Sequence, residues 1–318
     1  MKKTITATIS SLLSISALAN TNTIPSIGIV VPLEHQAMTE IVDGFKQELA
    51  NKYHHPVNVI VKNAEHDPML ERSIIKQFQA ENITIIEPIG EDAFELTLAS
   101  TQTQPVIGIA AEFSDQQRES LSNKSITNVD DELSSRDQLN FIRLALPSVK
   151  KISIIHSADD KVYTEVNAFK IAANQQHIAV QDLTVEETSD LYTISQHIAP
   201  DSQAIFILKD HPIVSGIATL AKQAESMKIP LIASDDGSVQ GGAVFALGVR
   251  EKEIGIKAAD LTAKALSGQA ISSMPMAKLT HYHIFLNPIH AEKQGINVKH
   301  LRKMAAQAGY DVIAMNTK

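Results

Sequence analysis

The chain has no cysteine and no tryptophan, and only 4% of its 318 residues are aromatic. Without cysteine there is no disulfide, no thiol chemistry and no thiol for lipid attachment. So few aromatic rings argue against a base-stacking platform for single-stranded nucleic acid. Basic charge is in deficit as well, with 28 Lys and Arg against 36 Asp and Glu and a formal net charge of −8. No basic run offsets that balance, so neither nucleic acid nor an anionic lipid surface is an expected partner. Long apolar runs are also missing: beyond the N-terminus, nothing approaches the roughly 18 apolar residues that suggest a membrane-spanning helix.

What is present is core-forming material, 44% apolar residues over a length that suits about two domains. The first residues read as a targeting signal. Lys2-Lys3 supplies a positive start, residues 5–18 form a short run of apolar and small side chains, and Ala17-Leu18-Ala19 fits the small-x-small rule for cleavage after Ala19. Residues 1–19 are therefore expected to be removed, and losing Lys2 and Lys3 with them shifts the net charge from −8 to −10. An exported, cysteine-free globular protein of this size suits a bacterial periplasm.

The remainder alternates strand-like and helix-like segments. Residues 26–31 are a nearly continuous β-branched run, as expected of a strand covered on both faces. A helix over residues 37–51 follows, with Met38, Ile41, Phe45 and Leu49 at helical spacing. Strands at 57–61, 83–86 and 105–110 alternate with helices at 69–80 and 93–100, and four such steps in a row predict a parallel sheet with right-handed crossovers. The polar passage 112–131 interrupts the rhythm and reads as a domain boundary. The same alternation then restarts and runs to a strand ending at Ala233. A helix over 251–267, a strand over 280–286 and a basic helix near 298–308 close the chain. The fold class is therefore α/β, with two doubly wound parallel-sheet lobes and an interlobe cleft. The expected first lobe is residues 24–130 with 250–279, and the second is residues 131–249 with 280–318. The chain should cross between them near 129–132, 248–250 and 280–286.

The chemistry concentrates where strands end. In the stretch 229–248, a buried strand runs into Ser234-Asp235-Asp236-Gly237-Ser238, and a second apolar strand leads away. Asp235, Asp236 and Ser238 would then stand where open α/β sheets place their ligands. An ordinary turn, in which Asp and Ser satisfy their own backbone, explains the same residues. Both readings stay open at this level.

The segment Ile27-Gly28-Ile29-Val30-Val31-Pro32-Leu33-Glu34-His35-Gln36-Ala37-Met38 with Asp43-Gly44-Phe45-Lys46, together with residues 229–239 and 242–249, resembles the ABC transporter substrate-binding proteins of the type I periplasmic binding fold. The likeness is to the branch associated with tryptophan and other aromatic amino acids, and it extends from about Ile27 to Ile296. The resemblance implies a bilobal receptor that closes on a small, amino-acid-like ligand and delivers it to the membrane permease of an ABC importer. Carried over by position, it implies ligand contacts from Glu34 and His35 in the first βα loop, from Asp210, and from Ser234, Asp235 and Ser238, with Asp210 and Asp235 facing a ligand ammonium group. Two loops depart from the family pattern. Where the family has short Thr/Ser-Pro and Thr-Asp-Pro loops that receive the ligand carboxylate, this chain has Gly90-Glu91-Asp92-Ala93-Phe94 and Ala111-Glu112-Phe113-Ser114. Glu91, Asp92 and Glu112 would repel a carboxylate if desolvated, so either their side chains turn outward or the ligand is cationic. The tail beyond Ile296 also exceeds the family's usual end.

No enzyme is expected. No His-Glu-x-x-His, Gly-x-Ser-x-Gly or phosphate-cradling Gly-rich loop with Lys is present. Among the twelve histidines, His281-Tyr282-His283 with His290 is the best metal-like cluster, because i and i+2 on a strand share a face. The plain reading is a strand of solvated histidines, and no cofactor or metal site is expected. A second reading of function keeps the fold but makes the chain a sensing or protein-interaction module with altered or lost ligand binding.

Overall fold

The computed structural model describes residues 24–112, 119–121 and 124–315. The expected signal segment and its cleavage site lie outside the described residues, as do Phe113 and Ser114.

Two sheets organise the chain. The first is built from β1 (Ser26–Val31), β2 (Asn58–Asn63), β3 (Ile85–Pro88), β4 (Val106–Ile109) and β5 (Ile126–Asp130), joined much later by the two-residue β11 (Ala277–Lys278). Its order is β11-β5-β4-β3-β1-β2, with every pair parallel. Helices α1 (Gln36–Lys52), α2 (Pro68–Ala80) and α3 (Glu91–Ser100) make the crossovers. β1 is buried on both faces because its alternate residues serve two cores. Ile27, Ile29 and Val31 join Ile41, Phe45 and Leu49 of α1, while Val30 packs with Ile74, Ile75 and Phe78 of α2.

The second sheet repeats the plan with β6 (Lys151–Ser157), β7 (Ala179–Val185), β8 (Ala204–Ile207), β9 (Leu231–Ala233) and β10 (Phe245–Gly248), then β12 (His283–Leu286) and β13 (Asp311–Ala314). Its order is β13-β12-β10-β9-β8-β6-β7, parallel throughout except for the antiparallel pair β10–β12. The helices are α4 (Ser135–Ala145), α5 (Asp160–Gln175), α6 (Leu191–Ser195), α7 (His211–Ser215), α8 (Ile217–Met227), α9 (Asp236–Gln240), α10 (Glu251–Leu266), α11 (Pro288–Lys293) and α12 (Val298–Gln307). The chain leaves the first sheet after β5, returns to the first core in α10 straight after β10, and crosses again between β11 and β12.

Local chemistry explains where the elements depart from the sequence rhythm. The polar passage 112–131 contains β5, in which Thr127, Asn128 and Asp130 are buried rather than solvated. Asn128 Nδ2 donates to the Ala111 carbonyl at 2.7 Å, and Thr127 Oγ1 donates to the Pro275 carbonyl. The turn after β9 coils into α9. The helical stretch 211–227 divides into α7 and α8 at Gly216, where a Cβ would lie 2.2 Å from Leu191 Cδ1 of α6. The expected strand 280–286 is shorter, its first residues forming the crossing between the sheets.

Candidate functional site

In a doubly wound sheet the ligand crevice opens beyond the carboxyl ends of the strands, at the point where strand order reverses. Here that point falls between β1 and β3 in the first sheet and between β6 and β8 in the second. The loops beside it carry His35 and Glu91 on one side, and Lys209 and Asp210 on the other.

On the first lobe, α1 begins at His35, whose extended backbone (φ −152°) lets Nδ1 accept from Ala37 N at 3.2 Å. Glu34 and His35 are exposed. α3 begins after Gly90, which takes φ +90°, and its first turn holds Glu91 and Asp92. Carboxylates are stabilised at a helix N-terminus, so this turn carries the protein's own negative charge where a ligand carboxylate would be received. Asp92 is exposed, and it adds to burial in raising the pKa of neighbouring Glu71. Glu112 hydrogen bonds to Glu132, just past β5. Burial first, then repulsion from Glu112, Glu165 and Asp130, pushes Glu132 up to about 7.

On the second lobe the two expected ammonium readers are occupied at home. Asp210 is buried, and its Oδ2 accepts from Ser157 N at 2.6 Å, tying the loop after β8 to the end of β6. Asp235 caps α9, accepting from both Ser238 N and Ser238 Oγ at 2.7 Å. Asp210 and Asp235, the residues expected to face a ligand ammonium, are thus each engaged by a backbone N–H group of their own lobe. Ser238 is fully buried in that cap. Ser234 Oγ is buried without a hydrogen-bond partner among the described residues. Asp210→Ala should accordingly cost stability, because the Ser157 N–H would lose its acceptor. We expect a loss of about 1–3 kcal/mol in chemical denaturation, and an unchanged midpoint would refute the structural role.

The electrostatic centre is a residue outside the sequence candidates. Burial pulls the pKa of Lys209 down, but Asp131, Glu251, Asp235 and Asp236 more than offset this, and the net shift is upward. Lys209 is exposed as a residue, so this crowding acts on a side chain that still has solvent access. The carboxylates respond in turn. Burial, partly offset by Lys209 and reinforced by Asp131, Asp236 and Glu40, pushes Glu251 up to about 7. Asp131 is raised chiefly by burial, and Asp236 by burial and then Asp235. These groups come from the ends of β8 and β9 in the second sheet, from just past β5 of the first sheet and from the start of α10, so segments of both lobes act on one ammonium. Beside them opens a cavity of about 870 Å³ between the first turns of α1, with His35 and Glu40, the start of α10, with Glu251, and the second lobe, with Asp236 and Lys222. Of the ligand-facing candidates from the sequence, His35 and Asp236 line it. His290, also on its wall, is paired through Nδ1 with Glu225 at 3.0 Å and lies apart from His281 and His283.

The family model for ABC transporter substrate-binding proteins matches residues 26–308. The chain belongs to that family. This substrate-binding protein is 33% identical to an uncharacterized protein of Rickettsia prowazekii, over 82% of each chain. It is 24% identical to a tyrosine-binding protein of Clostridioides difficile, over 82% of this chain and 78% of that one. Among solved structures, the ligand-free, open form of a substrate-binding protein with adhesive properties from Clostridium difficile shares the fold with a TM-score of 0.81 at 21% identity, covering 93% of this chain and all of that one. A domain from Streptococcus pneumonia solved with L-Trp gives 0.72 at 22% identity, covering 92% and 100%. Both lobes thus have the type I periplasmic binding architecture. No helix among the described residues is long and apolar enough to cross a membrane.

Lys209, Asp131 and Glu251 escaped the sequence reading. The available signal was positional, since Asp131 and Lys209 lie within two residues of a strand's C-terminal end and Glu251 opens the helix that follows the second crossing.

Proposed function

We propose that this substrate-binding protein is the exported receptor of an ABC importer, handing a small amino-acid-like ligand from its interlobe cleft to a membrane permease. The observation that carries this reading is Lys209 at the second lobe's switch point, within the electrostatic influence of Asp131, Glu251, Asp235 and Asp236. A zwitterion matches that pattern. Its carboxylate would lie toward Lys209, the group with net attraction for an anion, and its ammonium toward Asp131, Asp236 and Glu251. Charge-assisted hydrogen bonds of this kind contribute roughly 1.5–3 kcal/mol each. The relatives that bind tyrosine and tryptophan support an amino acid as the ligand class. Glu91, Asp92 and Glu112 fit the same reading if their negative charge helps to hold the ammonium end, and Glu34 and His35 would line the approach from α1.

A thermal-shift screen of L-amino acids, amines without a carboxylate and nucleosides tests it, since a ligand at 100 times its Kd adds about 2.7 kcal/mol to stability. An amino acid should stabilise the protein, and Lys209→Ala should weaken its binding at least tenfold in calorimetry. If amines bind and Lys209→Ala strengthens them, the ligand is a cation rather than a zwitterion. Stabilisation by nucleosides alone would reject the amino-acid reading.

A further inference from the structure

The third crossing between the lobes gathers metal-ligating side chains from three places in the sequence. His281 lies in the crossing segment, His283 opens β12, and Asp311 opens β13 as the register partner of His283 in a parallel pair. Alternate residues of an extended chain share a face, and the two imidazole rings stand 4.7 Å apart in an edge-to-face arrangement. Asp311 Oδ2 is 3.2 Å from His281 Nε2 and 4.0 Å from His283 Nδ1. One ligand atom from each of the three residues lies within 4.8 Å of the other two.

The state of His283 separates this group from a chance meeting of surface histidines. The residue is only 4% exposed. Its Nε2 lies 3.0 Å from both carboxylate oxygens of Glu253, so that nitrogen is assigned the proton and donates it. Nδ1 is then a bare lone pair, and it is buried with no hydrogen-bond partner among the described residues. A buried acceptor left unmatched is costly, and a cation between His281, His283 and Asp311 would satisfy it. A carboxylate that accepts from the far N–H of an imidazole is also how proteins fix the tautomer and orientation of a metal-bound histidine.

We infer that His281, His283 and Asp311 form a binding site for a transition-metal dication of the zinc type, with Glu253 as the positioning residue behind His283. Two imidazoles and one carboxylate suit zinc better than magnesium or calcium, which take oxygen ligands. Zinc needs ligand atoms at about 2.0–2.2 Å. The buried imidazole is already held, while His281 and Asp311, with side chains 59% and 71% exposed, are free to turn inward and close the set. Water completes the coordination. Glu253 belongs to α10, which packs in the first lobe's core, whereas His283 and Asp311 belong to the second sheet. The metal therefore sits at the hinge and is independent of the ligand proposed for the cleft.

Calorimetric titration of the chelator-treated full chain with zinc chloride tests the site, with magnesium chloride as control and cobalt absorption as a report on geometry. One zinc per chain should bind with little heat from magnesium, and cobalt should give the visible bands of a tetrahedral site. His281→Ala and Asp311→Ala each remove an exposed side chain and should keep the melting temperature of the metal-free protein. Each should weaken zinc binding at least tenfold, and Glu253→Gln should weaken it within the 10- to 100-fold range of outer-shell changes. Unchanged zinc affinity in the His281→Ala/Asp311→Ala double variant, or magnesium bound as tightly as zinc, would overturn the inference.

Discussion

Gly255→Ala should lower the melting temperature of the ligand-free protein by roughly 5–10 °C, although alanine is the better helix former by about 1 kcal/mol. A Cβ at position 255 would lie 1.9 Å from the Ile41 carbonyl oxygen and 2.8 Å from Phe45 N. Both are backbone atoms of α1, so no side chain can swing aside. The only relief is to push α1 and α10 apart, which opens the contact that buries Ile41 and Phe45 against Ile254 and Ala258. The close approach is reciprocal, because a Cβ at Gly44 of α1 would lie 2.3 Å from the Lys252 carbonyl. Overpacking costs typically 1–3 kcal/mol and more where backbone must move. Gly268→Ala is the control. That residue caps α10 at φ +100° with nothing within 4 Å of its Cβ, so it should cost about 1 kcal/mol of backbone strain alone. A Gly255→Ala protein as stable as the Gly268→Ala protein would disprove the steric account. The effect also reaches function, since α10 opens with Glu251, and moving the helix would move that carboxylate away from Lys209.

The residues themselves show why some of this was legible in the sequence and some was not. β1 announces itself as a β-branched run, because a strand covered on both faces leaves little room for polar positions to blur the pattern. β5 hides because Thr127, Asn128 and Asp130 are polar residues buried in a strand, and composition does not distinguish a buried asparagine from a solvated one. The turn after β9 could be located but not aimed. Asp235 spends its carboxylate on Ser238, and Asp210 on Ser157 N, a partner 53 residues away. Capping by Asp235 was one of the two readings the local sequence allowed; the tie from Asp210 to Ser157 is tertiary. Lys209 gains its meaning from Asp131, Asp236 and Glu251, which arrive from separate strand ends, so only the packing of the second lobe against the crossings brings them together. The same holds at the hinge. The pairing of His281 with His283 follows from alternation, but Asp311 joins them through the register of β12 with β13, and Glu253, 30 residues before His283, through the packing of α10.

Glu87→Gln should remove a large slope from the pH dependence of stability. Glu87 lies in β3 with no exposure, facing the core under α10. Thr262 Oγ1 donates to its Oε1 at 2.5 Å, and Oε2 has no hydrogen-bond partner among the described residues. Burial raises its pKa from 4.5 to about 8, against a smaller opposing contribution from the Thr262 hydrogen bond. The folded protein therefore keeps this carboxyl protonated at neutral pH, whereas the unfolded chain releases the proton near 4.5. Between those two values the native state binds the extra proton, so stability falls as pH rises, by about 1.4 kcal/mol per unit. The contribution is fully present below pH 4.5, is lost progressively up to about pH 8, and amounts to about 5 kcal/mol across the window. Glutamine keeps the acceptor for Thr262 and carries no titrating proton, at a cost of about 1–3 kcal/mol for an amide N–H₂ without a partner. The variant should thus be slightly less stable than wild type near pH 5 and clearly more stable, by roughly 2–4 kcal/mol, near pH 9. Glu132 and Glu251, both raised to about 7, remain in the two proteins and cancel in the difference. Urea denaturation at matched pH values measures that difference directly, and curves that run parallel from pH ~5 to ~9 would show that Glu87 is ionised in the folded protein.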